Sequence, residues 1–201
     1  MEPSNVLGVV IAGGRSVRFG GEKAVALLAG RPLLMWAVQR LQRSCAVVAV
    51  NARPQTEAEA LARTENLPVL QDAPGDAAGP LSGVKAGLFW ARELGAHAIA
   101  VSPCDVPLLP EDLFGRLIEA AGSGASMAET GEGHQPLCAV WPVSALEKVT
   151  QALEGGAHPA TWRMLDSIGA ARVRFPDAAA FANVNTRADL ETIAARLRPL
   201  G

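Results

Sequence analysis

Apolar residues in the first half of the chain follow two alternating patterns. Runs such as 6–11 are apolar throughout, which is typical of a strand buried on both faces of a parallel sheet. Other segments place apolar residues such as Leu34, Val38 and Leu41 at helical spacing. In chain order, the patterns predict strand 6–11, helix 32–43, strand 46–50, helix 55–64, strand 67–71, helix 81–94, strand 98–102 and a helix beginning at Pro110. This alternation predicts an α/β fold with a doubly wound, mostly parallel central sheet and helices on both of its faces.

The second half of the chain is less regular. The looser stretch 122–136 is its one candidate boundary, and we interpret it as a loop within a single domain. That domain spans 1–201, with one half at 1–121 and the other at 122–201. The patterns beyond 121 predict strands at 125–128 and 137–141, a helix over Leu146, Val149 and Leu153, a strand at 171–175, and a last helix that Thr186 and Asp189 begin as a variant capping box.

The composition is that of a globular protein with a sizeable core. Of the 201 residues, 49% are apolar and only 19% are charged, whereas about 25% are charged in an average domain. The formal net charge of −2 leaves no dominant basic surface, so we expect no nucleic-acid partner. No apolar run approaches the roughly 20 residues that a membrane-spanning helix needs, so we expect no membrane partner either.

The three cysteines, Cys45, Cys104 and Cys138, are far apart and include no C-x-x-C pair. Such scattered residues in an odd number argue against a disulfide scaffold or a zinc site and favour a reducing compartment. The amino terminus lacks the positive region and long apolar stretch of a secretory leader. We therefore expect a cytoplasmic protein.

The segment 11–23 combines four glycines with Arg15, Arg18 and Lys23, and it directly continues the first predicted strand. Glycines let backbone N–H groups approach a phosphate chain, and the cations place positive charge beside it. The alternative is an ordinary flexible turn, but a turn requires neither so many glycines nor three cations. The spacing matches neither the P-loop nor the dinucleotide-binding fingerprint. The sequence therefore predicts a phosphate-binding loop of another kind.

Three further polar residues follow predicted strands and should meet this loop at the carboxyl edge of the sheet, where α/β proteins bind ligands. Asp105 comes after a buried strand and is held between Pro103 and Pro107, so its carboxylate could hold Mg²⁺ opposite the phosphates. Asn51 could bind a base or ribose through its donor and acceptor, and Asp72 offers a second carboxylate. For each of them, the alternative is a turn residue that bonds its own backbone.

The sequence contains no G-x-S-x-G or H-E-x-x-H motif and no convincing Cys–His pair, which disfavours covalent catalysis. What remains is a phosphate chain neutralised by Lys, Arg and Mg²⁺, with two substrates aligned for in-line attack. The second substrate could contact the polar loop around Gln135. It could also contact Asn183 and Asn185, whose amides share one side of an extended segment, although a pair of turn asparagines is the alternative.

Several short motifs occur in this order along the chain: Ile11-Ala12-Gly13-Gly14, Arg18-Phe19-Gly20-Gly21, Glu22-Lys23, Gly79-Pro80-Leu81-Ser82-Gly83, Pro103-Cys104-Asp105-Val106-Pro107 and Asn183-Val184-Asn185-Thr186. Together they resemble the motifs of the molybdenum cofactor guanylyltransferases, and the resemblance covers essentially the whole chain. It implies a Rossmann-like nucleotidyltransferase fold. It also implies the activity of that family, which transfers GMP from GTP to the terminal phosphate of molybdopterin and releases pyrophosphate.

The resemblance implies roles for individual residues. Lys23 and Arg18 would hold the triphosphate and Asp105 would bind GTP and Mg²⁺, so these three would be the catalytic residues. With the loop glycines included, the expected nucleotide-binding residues are Ile11, Ala12, Gly13, Gly14, Lys23, Asn51, Asp72 and Asp105. The expected acceptor-binding residues are Gln135, Asn183 and Asn185. On this interpretation 1–121 is the nucleotide-binding half and 122–201 the acceptor-binding half.

Three positions depart from the pattern of that family, which usually has Leu, Met and Asp where this chain has Ile11, Phe19 and Glu22. The role of Glu22 beside Lys23 is therefore open. Rival functions are the cytidylyltransferase of the same pathway, a sugar-phosphate nucleotidyltransferase, and a GTP-binding regulator without catalysis. The Gly13-Gly14 pair resembles the guanylyl branch rather than the cytidylyl one. Besides GTP and molybdopterin, the implied partners are proteins that deliver the pterin or receive the product.

Overall fold

A seven-stranded sheet forms the centre of the computed structural model, which describes residues 5–14, 19–76 and 79–197. The strands are β1 (Val6–Ile11), β2 (Leu27–Leu28), β3 (Arg31–Pro32), β4 (Val48–Asn51), β5 (Val69–Leu70), β6 (Ala98–Pro103), β7 (Ser126–Thr130), β8 (Gly133–Pro142) and β9 (Ala171–Arg174). The α-helices are α1 (Leu33–Gln42), α2 (Glu57–Thr64), α3 (Pro80–Glu93), α4 (Leu113–Ala121), α5 (Leu146–Leu153), α6 (Thr161–Ser167) and α7 (Arg187–Leu197). Short 3₁₀ helices lie at Lys23–Val25, Val143–Ala145, Glu154–Gly156 and Ala178–Phe181.

The strand order in the large sheet is β5-β4-β1-β6-β8-β7-β9. The first four of these strands are parallel, β8 is antiparallel to both β6 and β7, and β9 is parallel to β7. β1 lies between β4 and β6, with Gly8 opposite Val48 and Val9 opposite Val101. The predicted α/β fold with a mostly parallel sheet is confirmed, and strands from both halves of the chain join the same sheet.

Helices cover both faces of the sheet, because side chains along each buried strand point to alternate faces. In β1, Val6 and Val10 pack in one core with α1, α2 and α4, whereas Leu7 and Val9 pack in another core with α3, α5 and α6. Because β5, β4, β1 and β6 run parallel, their carboxyl ends meet at one edge of the sheet. In the described ranges, no helix has both the length and the apolar character needed to cross a membrane.

The last helix begins where the sequence predicts it. The Asp189 N–H donates to Thr186 Oγ1 at 3.1 Å, and the Thr186 N–H donates to Asp189 Oδ2 at 2.8 Å. This reciprocal pairing is a capping box with Asp in place of Glu. It fixes the start of α7, whose residue Ile193 packs with Phe19 and Val184 in a third apolar cluster.

The interpretation of 122–136 as a loop is wrong. β7 extends to Thr130 and β8 begins at Gly133, so most of this stretch belongs to a hairpin in which Ala128 pairs with Gln135. Antiparallel strands can carry polar residues wherever one face of the sheet meets solvent. The polar composition of this hairpin therefore concealed two strand ends.

β2 and β3 form a separate two-stranded ribbon that the sequence patterns did not predict. The two residues that connect them, Ala29 and Gly30, both have positive φ angles, at 49° and 78°. Positive φ at both central residues is what a type I′ hairpin turn requires. The ribbon carries Leu28 into the same apolar cluster as Phe19 and so holds the chain just after the glycine-rich segment.

Candidate active site

The carboxyl edge of the parallel strands opens into a cavity of about 430 Å³. Every residue that the sequence analysis assigned to the nucleotide lines this cavity: Ile11, Ala12, Gly13, Gly14, Lys23, Asn51, Asp72 and Asp105. Arg18, which was predicted to hold the phosphates with Lys23, lies in the segment 15–18, outside the described residues, as does Arg15. The fold therefore brings together residues from the ends of four strands, as their positions in the sequence predict.

An ion pair between Lys23 and Asp105 lies in this cavity. Lys23 Nζ is 2.6 Å from Asp105 Oδ2, and the two side chains are only 13% and 22% exposed. Nζ also donates to Asn185 Oδ1 at 3.4 Å. The Val184 N–H donates to the carbonyl of Asp105 at 2.8 Å, which holds the segment that carries Asn185 beside the end of β6. A cation, a carboxylate and an amide oxygen thus converge from three distant segments.

Asn51 is the last residue of β4 and is only 3% exposed. Its Nδ2 donates to the Leu70 carbonyl at 3.3 Å and to Asp72 Oδ1 at 2.9 Å, so the side chain connects the ends of β4 and β5. On its other side lies α3, where a Cβ atom at Gly83 would be 2.3 Å from Asn51 Oδ1. Glycine at this position therefore lets α3 approach closely enough to hold the Asn51 amide in one orientation.

His158, from the second half of the chain, packs against the first turn of α3. The Leu81 N–H donates to His158 Nε2 at 3.3 Å. The N-cap residue of the helix, Gly79, has no side chain that could accept such a bond. A Cβ atom at Gly79 would lie 2.1 Å from the same Nε2. Because Gly79 and Pro80 line the cavity, His158 supports one of its walls.

The residues predicted to bind the acceptor are only partly brought together. Asn185 joins the Lys23–Asp105 pair, whereas Asn183 is exposed, and neither it nor Gln135 is among the residues that line the cavity. Gln135 Nε2 donates to Thr130 Oγ1 at 3.5 Å within the β7–β8 hairpin. Leu137, two residues further along β8, does reach the cavity. The hairpin therefore borders the cavity beside the end of β6.

Ala24, Arg53 and Leu137 line the cavity but received no role from the sequence. Arg53 lines the cavity two residues after Asn51, and Leu137 lines it from β8. The i, i+2 relation between Asn51 and Arg53 was the available signal, because residues two apart in an extended segment share one side. Leu137 gave no such signal, because its position depends on the antiparallel pairing of β8 with β6.

Cys104 lies in the wall of the cavity next to Asp105. Burial raises the pKa of its thiol to about 12, and the negative charge of Asp105 adds to the shift. The thiol therefore stays protonated at neutral pH, and a protonated thiol is a poor nucleophile. The surroundings of Cys104 favour a packing role.

Whether these residues can hold a metal ion depends on which other groups complete its coordination. Within the described part of the chain, no group of three or more His, Cys, Asp or Glu side chains could hold an ion. Mg²⁺ does not need such a cage, because it commonly uses one or two carboxylates and completes its shell with phosphate oxygens and water. The oxygens of Asp105 and Asn185 that approach Lys23 Nζ are donors of the kind this ion prefers. The residues present therefore fit Mg²⁺ bound together with a nucleotide.

Known proteins resemble the chain in sequence and in fold. Residues 8–171 match the family model of the MobA-like NTP transferase domain. A molybdenum cofactor guanylyltransferase from Cereibacter sphaeroides is 38% identical over 194 residues, which cover 96% of this chain and 97% of the relative. The solved structure of molybdopterin-guanine dinucleotide biosynthesis protein A from Archaeoglobus fulgidus has a TM-score of 0.74 at 22% identity, covering 96% of this chain and 100% of that one. That of 4-diphosphocytidyl-2C-methyl-D-erythritol synthase from Anaerococcus prevotii has a TM-score of 0.75 at 12% identity, covering 98% and 97%. At these identities, the two solved structures are informative about the fold alone.

The fold and the matched domain define this chain as a nucleotidyltransferase. The sequence relationship extends over nearly the whole chain and over nearly the whole of its relative from Cereibacter sphaeroides. The chain belongs to the family of molybdenum cofactor guanylyltransferases. The resemblance drawn from the short motifs is thereby confirmed.

Proposed function

We propose that this protein transfers GMP from GTP to the terminal phosphate of molybdopterin, which yields the guanine dinucleotide form of the cofactor and pyrophosphate. The observation that carries the proposal is the ion pair of Lys23 and Asp105 in a cavity on the carboxyl edge of the sheet, with Asn185 hydrogen-bonded to Lys23. The 38% identity to a protein named molybdenum cofactor guanylyltransferase supports GTP as the nucleotide and molybdopterin as the acceptor.

GTP would lie across the ends of β1 and β4. Among the described residues other than its chain neighbours, a Cβ atom at Gly14 would meet nothing within 4 Å, and one at Gly13 would meet Asn51 Oδ1 at 3.8 Å. The backbone of both glycines is thus open to a phosphate chain, which approaches main-chain N–H groups most closely where side chains are absent. Asn51 and Asp72, joined by their hydrogen bond, would contact the guanosine.

Lys23 would hold the phosphates by giving up its contact with Asp105. In the structure its ammonium group neutralises Asp105. When the triphosphate binds, Lys23 would donate to phosphate oxygens instead, because charge-assisted hydrogen bonds to phosphate are among the strongest it can make. The cation is then next to the negative charge that grows on the leaving pyrophosphate, where it stabilises the transition state more than the ground state.

The transfer itself needs no general base, because the attacking phosphate of the pterin is already an anion. One of its oxygens forms a new bond to the α-phosphorus of GTP. The bond from that phosphorus to the bridging oxygen breaks, and its electron pair leaves with pyrophosphate. Asn185 would orient the acceptor phosphate for this in-line displacement, and Asn183 and Gln135 would contact the acceptor further from the reacting atoms.

Mg²⁺ is part of the proposal. Asp105, with Asn185 beside it, would hold the ion, which when bound neutralises phosphate charge. Because the reaction consumes GTP, we expect it to occur in the cytoplasm. Proteins that deliver the pterin or receive the product are the expected partners.

Pyrophosphate release tests the proposal. The protein is supplied with Mg²⁺ and either GTP or CTP, with molybdopterin, with a sugar phosphate or with no acceptor, and Asp105→Asn serves as the inactive control. We expect release only when GTP and molybdopterin are both present. Release with CTP instead would identify a cytidylyltransferase, and release only with a sugar phosphate would identify a sugar-phosphate nucleotidyltransferase. Binding of GTP without any release would identify a regulator.

A further inference from the structure

Glu22, the residue directly before Lys23, is bound through both carboxylate oxygens to the first turn of α2. Its Oε2 accepts a hydrogen bond from the Glu57 N–H at 2.6 Å, and its Oε1 accepts one from the Ala58 N–H at 3.0 Å. These are the first two N–H groups of the helix, which have no acceptor within the helix itself. Glu22 thus connects the glycine-rich segment to a helix that lies 35 and 36 residues further along the chain.

The local cap of α2 leaves these two N–H groups for Glu22. At the N-cap, the Thr56 side chain accepts the Glu59 N–H at 3.3 Å. The carboxylate also places negative charge at the positive end of the helix dipole. Because the helix compensates this charge, Glu22 can lie in the wall of a cavity that receives anionic phosphates. The same engagement of both oxygens argues against a direct role of Glu22 in binding metal or substrate.

We propose that Glu22 is a positioning residue for the nucleotide: by anchoring the glycine-rich segment to α2, it holds Lys23 where the ammonium group meets the triphosphate. This inference rests on the proposed function. The next two residues support it, because Lys23 reaches Asp105 at 2.6 Å and Ala24 is buried in the same core as Ala58 of α2. The anchored carboxylate and the buried Ala24 thus hold the backbone on both sides of Lys23.

Steady-state kinetics of Glu22→Ala and Glu22→Gln test the inference, with Ala60→Gly as the matched control. Glu22→Ala should raise the KM for GTP at least about fivefold and leave the KM for molybdopterin unchanged. Glu22→Gln, which keeps the length but offers a single acceptor oxygen, should show a smaller rise in the same direction. A merely structural role would lower the fraction of active protein and therefore kcat, without moving the KM for GTP.

The Ala60→Gly control separates a loss of protein stability from a loss of the position of Lys23. Ala60 lies on the exposed side of α2, and glycine there should lower the Tm by about 2–4 °C, as loss of a helix cap also would. Ala60→Gly leaves the Glu22 carboxylate in place, so its KM for GTP should equal that of the wild type. If the Glu22 variants match Ala60→Gly in both Tm and KM, the inference is wrong.

Hydrogen exchange keeps this inference distinct from the proposed function. In Glu22→Gln, the amides of Glu57 and Ala58 and those of the segment 19–26 should exchange faster than in the wild type, whereas in Ala60→Gly only α2 should change. These results do not require turnover. A wild-type protein that releases no pyrophosphate from GTP would refute the proposed function, while unchanged exchange in 19–26 would refute the anchoring role of Glu22.

Discussion

Replacing Gly83 with alanine should damage the nucleotide site by adding a single methyl group. The new Cβ atom would lie 2.3 Å from Asn51 Oδ1 and 2.8 Å from Ile11 Cδ1. Non-bonded heavy atoms reach their best separation at about 3.5–4.0 Å, so the Asn51 side chain has to move by roughly 1 Å. Such a shift weakens the bond to Asp72, which is 2.9 Å long in the structure, and withdraws the amide from the place where guanosine would lie.

Two opposing effects determine the stability of Gly83→Ala. Overpacking a close-packed site costs about 1–3 kcal/mol, and replacing a glycine inside a helix gains about 0.5–1 kcal/mol. The free energy of unfolding should therefore fall by about 0–2.5 kcal/mol. The effect on the nucleotide is separate from this: one neutral hydrogen bond contributes about 0.5–1.5 kcal/mol, so the loss of one should raise the KM for GTP about 2- to 13-fold.

Urea unfolding and steady-state kinetics measure the two effects, and Gly115→Ala is the control. A Cβ atom at Gly115, in α4, would have Ser44 Oγ as its nearest neighbour at 3.7 Å, which is an ordinary contact. This variant should gain up to about 1 kcal/mol in stability and keep the wild-type KM. A folded Gly83→Ala protein with an unchanged KM for GTP would refute the placement of Asn51 at the nucleotide.

Three further predictions follow from the same geometry. Lys23→Met and Asp105→Asn should each lower kcat/KM for pyrophosphate release at least about tenfold. Because the two side chains are in contact, the double variant should lose less than the product of the two single fold losses. Full additivity of the two effects would contradict their pairing. Gly79→Ala should raise the KM for GTP because its Cβ would displace His158. Adding His158→Ala should bring the KM part of the way back to the wild-type value. A double variant whose KM does not fall would argue against the steric cause. Burial raises the pKa of Cys104 from 9.0 to about 12, so the thiol ionises first in the unfolded chain and the free energy of unfolding falls as the pH rises from about 9 to 12. In urea unfolding over this pH range, Cys104→Ala should lose less stability than the wild type. An equal loss in the two proteins would count against the shift.

The positions of the nucleotide residues were predictable because one rule places them. Ile11, Asn51, Asp72 and Asp105 each end or follow a parallel strand, and parallel strands present their carboxyl ends at the same edge. Recognising the four strands was therefore enough to bring these side chains together, without any knowledge of their contacts. The ion pair of Asp105 with Lys23 agrees with this placement.

The contacts that support the site were not predictable in the same way. His158 accepts a hydrogen bond from an N–H group 77 residues away, and Glu22 from one 36 residues away. Such helix caps from distant segments leave no periodic signal, because they depend on how loops meet after the sheet has formed. The sequence singled out Gly79 and Gly83 as part of a motif, but the contacts with His158 and Asn51 that require glycine there appear only in the structure.

The acceptor side was harder to predict because it is formed by less regular structure. The predicted strands 125–128 and 137–141 stopped short of the polar turn of the β7–β8 hairpin, and this hid the relation of Gln135 to Leu137 along one strand. Asn185 was placed near the reacting groups by its motif, and its contact with Lys23 agrees with that placement. Asn183 and Gln135 remain predictions for the acceptor.

A crystal structure with a non-hydrolysable GTP analogue and Mg²⁺ tests the central claim most directly. The triphosphate should lie against the backbone of Gly13 and Gly14, with Lys23 Nζ donating to phosphate oxygens and the Asp105 carboxylate facing the same phosphates. A triphosphate bound away from Gly13 and Lys23 would contradict the proposed site.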